Sequence, residues 1–135
     1  EILGVGQGHR AILLGAGNLG RALMENFHFE RTGFALMAAF DVDPAIIGRE
    51  LAGVTVRDMG ELEAYLKRQG ADVAVLTVPG RVAQTVTDRL TACKVRGIWN
   101  FTNMELSVPK TTVVENVHFA DSLLTLGYMI LENKE

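Results

Sequence analysis

The sequence predicts an α/β fold, a doubly wound parallel sheet, because three features coincide along its 135 residues. Short apolar runs alternate with stretches of helical periodicity. A glycine-rich turn joins the first run to the first helix, and the second run ends in an acidic turn closed by Pro44. Strands that alternate with helices imply right-handed βαβ units and parallel pairing.

Each element follows in order. Ala11-Ile12-Leu13-Leu14 is uniformly apolar, as a parallel strand buried on both faces requires. The helix that follows carries Leu19, Ala22, Leu23 and Phe27 on one side and turns Arg21, Glu25 and Asn26 to water. Phe34 to Phe40 reads as the next strand, which Pro44 prevents from continuing. Val54-Thr55-Val56 is a brief third strand, followed by a helix with Leu62, Tyr65 and Leu66 inward. Val73 to Val78 is a strand stopped by Pro79-Gly80, and the next helix places Val82, Ala83, Val86 and Leu90 on one stripe. Ile98-Trp99-Asn100-Phe101 and Thr112-Val113-Val114 complete the sheet.

The segment from Ser122 to Leu131 differs. Leu123, Leu124, Leu126, Met129, Ile130 and Leu131 wrap most of a helix, more apolar surface than one small sheet covers. It is expected to bury itself against or inside a second subunit. The chain therefore divides into a nucleotide-fold domain over 1–120 and a dimerising helix over 121–135, expected to be exchanged between subunits.

Composition narrows the function. With 48% hydrophobic and 21% charged residues the chain builds an ordinary core. A net charge of −3 argues against a broad basic face for nucleic acid. No apolar run reaches the ~20 residues of a membrane span, and no signal peptide opens the chain. The single Cys93 forms no internal disulfide, no Cys/His cluster suggests a metal, and a reducing cytoplasm is the expected setting. The chain opens at Glu1 without Met and enters its first strand within about ten residues, which reads as a fragment boundary.

Gly15-Ala16-Gly17-Asn18-Leu19-Gly20 follows a strand and opens a helix, the context that gives GxGxxG its meaning. Gly15 permits the tight turn, Gly17 lets the backbone approach a pyrophosphate, and Gly20 lets the helix pack on the sheet. The amides at the helix start face the phosphates, where the dipole is positive. Asp41 lies 21 residues after Gly20, near the ~20-residue spacing of the acid that takes the adenine ribose. Its charge repels a 2′-phosphate, so the Rossmann reading favours NAD(H) over NADP(H). Asp43 better suits a turn role before Pro44. Ligands in such sheets lie beyond the carboxyl ends of the strands. Thr77-Val78-Pro79-Gly80 and Asn100-Phe101-Thr102-Asn103 should therefore line the cleft around a nicotinamide and its ribose.

A catalytic acid or base is missing from those strand ends. His9 and His28 flank the first strand and first helix, His118 sits near the last helix, and no lysine falls at a strand tip. The cofactor is read as the ligand of a binding domain, not as the tool of an enzyme.

These stretches resemble the redox-sensing transcriptional repressor family Rex. The resemblance is carried by Gly15 through Leu23, Ala39-Phe40-Asp41-Val42-Asp43-Pro44, Leu76-Thr77-Val78-Pro79, Asn100-Phe101-Thr102 and Glu115-Asn116-Val117. It implies a homodimer that senses the NADH/NAD+ ratio and an N-terminal winged-helix domain, absent from this sequence, that holds operator DNA. It also implies site roles. Gly15, Ala16, Gly17, Asn18, Leu19 and Gly20 would hold the pyrophosphate, and Asp41 with Val42 the adenosine. Thr77, Val78, Pro79, Asn100, Phe101 and Thr102 would surround the nicotinamide. Three positions depart from the family pattern: Asn26 replaces Tyr, His118 replaces Asp, and Asn103 replaces Pro. Asn and His do not reproduce a phenol paired with a carboxylate. Competing readings are a paralogue that binds NAD(H) but acts through a protein partner, a small dehydrogenase, and a CoA-binding fragment.

Overall fold

The computed structural model describes residues 8–118, 126–127 and 129–132. Seven strands form one sheet in the order β3-β4-β2-β1-β5-β6-β7. The strands are β1 (His9–Leu14), β2 (Phe34–Asp41), β3 (Glu50–Leu51), β4 (Val54–Asp58), β5 (Val73–Leu76), β6 (Gly97–Asn100) and β7 (Val113–Asn116). Every pairing is parallel except the β3–β4 edge, where Glu50 faces Thr55 and Leu51 faces Val54 in antiparallel register. The doubly wound α/β architecture read from the sequence is thus the observed one.

The described α-helices that cover the sheet are α1 (Asn18–Asn26), α2 (Leu62–Arg68) and α3 (Gly80–Ala92). The face under α2 and α3 is closed. Ile12, Leu14, Phe40 and Leu76 pack there against Leu62, Tyr65, Leu66, Ala83, Val86 and Leu90. Arg89 fastens the two helices together: its guanidinium donates to both carboxylate oxygens of Glu63 (2.6 and 2.7 Å) and to the Met59 carbonyl (2.8 Å). On the opposite face Leu13, Ala39, Val56 and Val75 meet Met24 of α1 and Phe29 of the short 3-10 turn Phe29–Thr32. Among the described residues no further helix covers that face beyond α1. A cavity of about 370 Å³ lies over it, bordered by Phe27, Phe34, Val73, Val75, Trp99 and Val113.

The buried stripe of α1 is Gly20 and Met24, with Leu23 and Phe27 half-buried beside it. Ala22, expected inward, faces water, because the helix is turned so that Gly20 lies flat against the glycine turn. The β3–β4 hairpin was not expected. Its turn places Ala52 at φ 52° and Gly53 at φ 80°, both left-handed, as a tight two-residue connection demands.

The main-chain ladders run one residue past the strand tips. Gly15 N donates to Phe40 O (2.8 Å), Thr77 N to Leu14 O (2.9 Å), Phe101 N to Leu76 O (3.0 Å) and Val117 N to Asn100 O (2.9 Å). Residues 126–127 and 129–132 are helical, with Leu126, Met129, Ile130 and Leu131 between 54% and 66% exposed. Leu123 and Leu124, assigned to the same helix from the sequence, lie outside the described residues. Among the described residues no helix is long and apolar enough to cross a membrane.

Candidate functional site

Strand order reverses direction between β1 and β5, since the chain runs from β1 outward to β2 and later returns to the other side. A crevice opens at such a switch point, beyond the carboxyl ends. Gly15 follows β1, Asp41 ends β2, Thr77 follows β5 and Phe101 follows β6, so the residues singled out in the sequence meet along this one edge.

The three glycines of the turn have different reasons to be glycine. Gly15 adopts φ +101°, and a side chain there would meet the Thr77 carbonyl oxygen at 2.7 Å. A Cβ on Gly20 would fall on the Gly15 carbonyl oxygen. The protein's own packing demands both. Gly17 is otherwise: its φ is an ordinary −78°, and a Cβ there would have nothing within 4 Å. The space above it is open, at the position that caps α1. No side chain caps that helix and no acid stands in its first turn, so the positive end of its dipole is left for an outside anion.

Asp41 fixes the turn from one side. Its Oδ2 accepts from Ala16 N (2.6 Å), while Oδ1 accepts from Val42 N (2.7 Å) and Asp43 N (2.9 Å). A carboxylate offers about four acceptor positions, so capacity for a further donor is left. Asp43 accepts from Ala45 N (2.9 Å) in a local turn, the role its place before Pro44 suggested. Val42 stands beside Asp41 with 73% of its surface exposed. Thr77 fixes the turn from the other side, its hydroxyl donating to Gly15 O (2.6 Å) with Leu14 O at 3.0 Å. Val78 is buried, and Pro79 is the residue from which α3 starts, with no side-chain cap.

At the β6 end, Asn100 is 1% exposed and its amide is saturated. Nδ2 donates to Met104 O and to Asn116 Oδ1 (2.8 Å each), and Oδ1 accepts from Thr102 N (3.0 Å) and Thr102 Oγ1 (2.6 Å). Asn100 thus folds the 101–104 loop and has no amide valence left for a ligand. Phe101 stacks edge-on against Trp99, with centroids 4.6 Å apart. Beyond the loop, Asn103, Glu105, Asn116 and His118 border a cavity of about 330 Å³. Sequence reasoning did not single out two contributors here. One is Asn116 as the partner of Asn100. The other is Met104, which lies 3.0 Å from where a Gly80 side chain would begin. Among the described residues no cluster of His, Cys, Asp and Glu is arranged to hold a metal ion.

The chain matches the family model described as CoA binding domain over residues 7–104. It is 43% identical over 135 residues to the redox-sensing transcriptional repressor Rex of Clostridium tetani, covering 100% of this chain and 64% of that protein. The Rex protein of Clostridium botulinum (strain Eklund 17B) is 40% identical over 99% of this chain and 64% of its own. The chain thus spans just under two thirds of the length of these relatives. Among solved structures, RSP, a Rex-family repressor, superposes with a TM-score of 0.90 at 38% identity, covering 96% of this chain and 62% of that one. Its complex with β-NADH gives 0.87 at 38% identity, covering 93% and 61%. Its complex with β-NAD+ and operator DNA gives 0.86 at 38% identity, covering 93% and 58%. The resemblance to Rex read from the sequence motifs extends over the whole chain.

Proposed function

The chain belongs to the CoA-binding domain family, and we propose that within it this chain is the NAD(H)-binding, redox-sensing and dimerising domain of a Rex-like transcriptional repressor. The observation that carries the proposal is Gly17. Its neighbours Gly15 and Gly20 are explained by contacts inside the protein, whereas the bare backbone at Gly17 borders empty space at an uncapped helix start. A pyrophosphate seated there explains both features.

In this reading Gly15, Ala16, Gly17, Asn18, Leu19 and Gly20 form the pyrophosphate cradle. Asp41 accepts from a ribose hydroxyl on its remaining lone pair, and exposed Val42 gives the adenine an apolar support. Thr77, Val78 and Pro79, with Asn100, Phe101 and Thr102, wall the nicotinamide end. When bound, the dinucleotide supplies a redox-dependent ring charge; the residues of this chain only bind and orient it. The Asp41 carboxylate rejects a phosphate on the adenosine ribose, which sets NAD(H) apart from both NADP(H) and CoA, whose ribose carries a 3′-phosphate.

Dimerisation is proposed to use the helix that includes Leu126, Met129, Ile130 and Leu131. Four exposed apolar side chains on one short helix, in a chain that also carries an uncovered apolar groove over β5 to β7, form a self-complementary pair of surfaces. The 121–135 segment is thus the dimerising unit of a domain that spans 1–120. The redox state of the bound dinucleotide would bias the relative rotation of two subunits. Operator DNA would be held by a winged-helix segment outside this chain, in the cytoplasm.

Titration calorimetry tests the reading. NADH or NAD+ should bind, NADPH and CoA should bind at least tenfold more weakly (about 1.4 kcal/mol), and Gly17→Ala should abolish NADH binding while leaving the fold intact. CoA binding in place of NADH would overturn it.

A further inference from the structure

We propose that Thr77 is a positioning residue for the glycine turn, one that sets the shape of the pyrophosphate cradle without hydrogen-bonding the nicotinamide as a donor. The inference rests on the reading that Gly15 to Gly20 hold the pyrophosphate.

A threonine hydroxyl has one proton. Both of Thr77's near neighbours, Gly15 O at 2.6 Å and Leu14 O at 3.0 Å, are carbonyl oxygens that only accept. The proton is therefore committed to the entrance of the turn, chiefly to Gly15. The hydroxyl oxygen also lies 3.0 Å from where a Gly20 side chain would begin, so the start of α1 covers it. The backbone of Thr77 adds to the grip. Its N–H donates to Leu14 O, and its carbonyl oxygen lies 2.7 Å from the position a Gly15 Cβ would take. One residue after β5 thus touches both glycines that the turn needs for packing.

Asp41 holds the next residue from the opposite side through Ala16 N. The single planar peptide between Gly15 and Ala16 is clamped at both ends, its carbonyl by Thr77 and its amide by Asp41. Releasing the Thr77 end leaves that peptide held by Asp41 alone, lets it tilt about the remaining bond and changes the aim of the amides that follow it at the helix start. The loss falls on whatever part of the ligand those amides hold, which is the diphosphate.

The prediction separates two roles by fragment. ADP carries the adenosine and both phosphates but no nicotinamide. Thr77→Ala in the full 135-residue chain should weaken ADP and NADH by the same factor, about three- to tenfold for one lost hydrogen bond. Thr77→Ser, which restores the hydroxyl without the methyl, should return both to near the original affinity. Three results would overturn the proposal: weaker NADH with unchanged ADP, which marks a nicotinamide contact; no change in either; or a loss that serine fails to rescue. Thermal melting of each variant shows whether a general loss of stability accounts for the change. If the unsubstituted chain binds neither NADH nor ADP, the dinucleotide reading itself fails, and that is visible before any variant is made.

Discussion

The two faces of the sheet are finished in different ways. Under α2 and α3 the strands are closed over, and Leu62, Leu90, Leu76 and Ile12 are all fully buried. On the other face, among the described residues, α1 covers β1 and β2. Phe27, Trp99 and Val113 are left around an open groove, Val113 with 69% of its surface exposed. The difference follows from winding. The chain steps twice toward the β4 edge, from β1 to β2 and on to β4, and three times toward the β7 edge, counting the return from β4 to β5; same-handed crossovers put α2, α3 and the 101–112 connection on one face. The closed face is a matter of folding alone, while the open one asks for cover from elsewhere.

Substitutions that act on one face and spare the other sharpen this contrast. Leu90→Ala, at a fully buried site, should cost about 3 kcal/mol and lower the thermal midpoint by many degrees. Gly20→Ala, where α1 meets the turn, should cost a similar or slightly smaller amount, since the added methyl must push backbone apart. Gly17→Ala, three residues earlier, should stay within about 1 kcal/mol in denaturant unfolding, the change of a capping residue only. Val113→Asp on the open face should alter chain stability by less than about 0.5 kcal/mol yet shift the mass in solution from dimer to monomer. If it leaves a dimer unchanged, the groove is not the interface.

A small effect that depends on pH belongs to the ion pair joining α2 and α3. The Arg89 guanidinium, hydrogen-bonded to Glu63, holds that carboxyl down at about 2, and the Glu63 carboxylate in turn raises the pKa of Arg89. A depressed carboxyl stabilises the fold above the unfolded-state value near 4.5, and the contribution disappears as pH falls toward 2. Glu63 is half exposed, so solvent screening limits the pair to about 1 kcal/mol or less. Unfolding of Arg89→Ala compared with the parent at pH 7 and pH 3 should show a gap that narrows at the lower pH. A gap that widens would refute the assignment.

What the sequence disclosed depended on how far apart the cooperating residues are. The strands, the glycine turn and Asp41 follow local rules of period and spacing; the turn and Asp41 lie at the strand ends as those rules place them, and the expected strands lie within about two residues of their observed bounds, the run expected to reach Val78 ending at Leu76. The β3–β4 hairpin escaped because its strand is two residues long and Ala52 occupies a left-handed turn position that Asn or Asp usually signals. Ala22, expected inward, is exposed, and Met24, assigned to neither side, is buried, because the contact of Gly20 with Gly15, not the hydrophobic pattern, sets the rotation of α1. Asn100 sits at the expected strand end, but its saturation depends on Asn116, sixteen residues on, and on the Met104 carbonyl. The Glu63–Arg89 pair spans 26 residues with no local mark of either partner.

The rungs beyond the strand tips have a consequence for how the crevice behaves in time. Gly15, Thr77 and Phe101 each give their amide proton to the neighbouring strand, so the floor of the cleft is the last row of the sheet and not a loop laid over it. Their protons should outlast those of the 42–49 loop in heavy water, because only opening of the sheet itself releases them. A ligand arriving there meets a surface that has already given up its freedom in folding, and binding has little left to freeze.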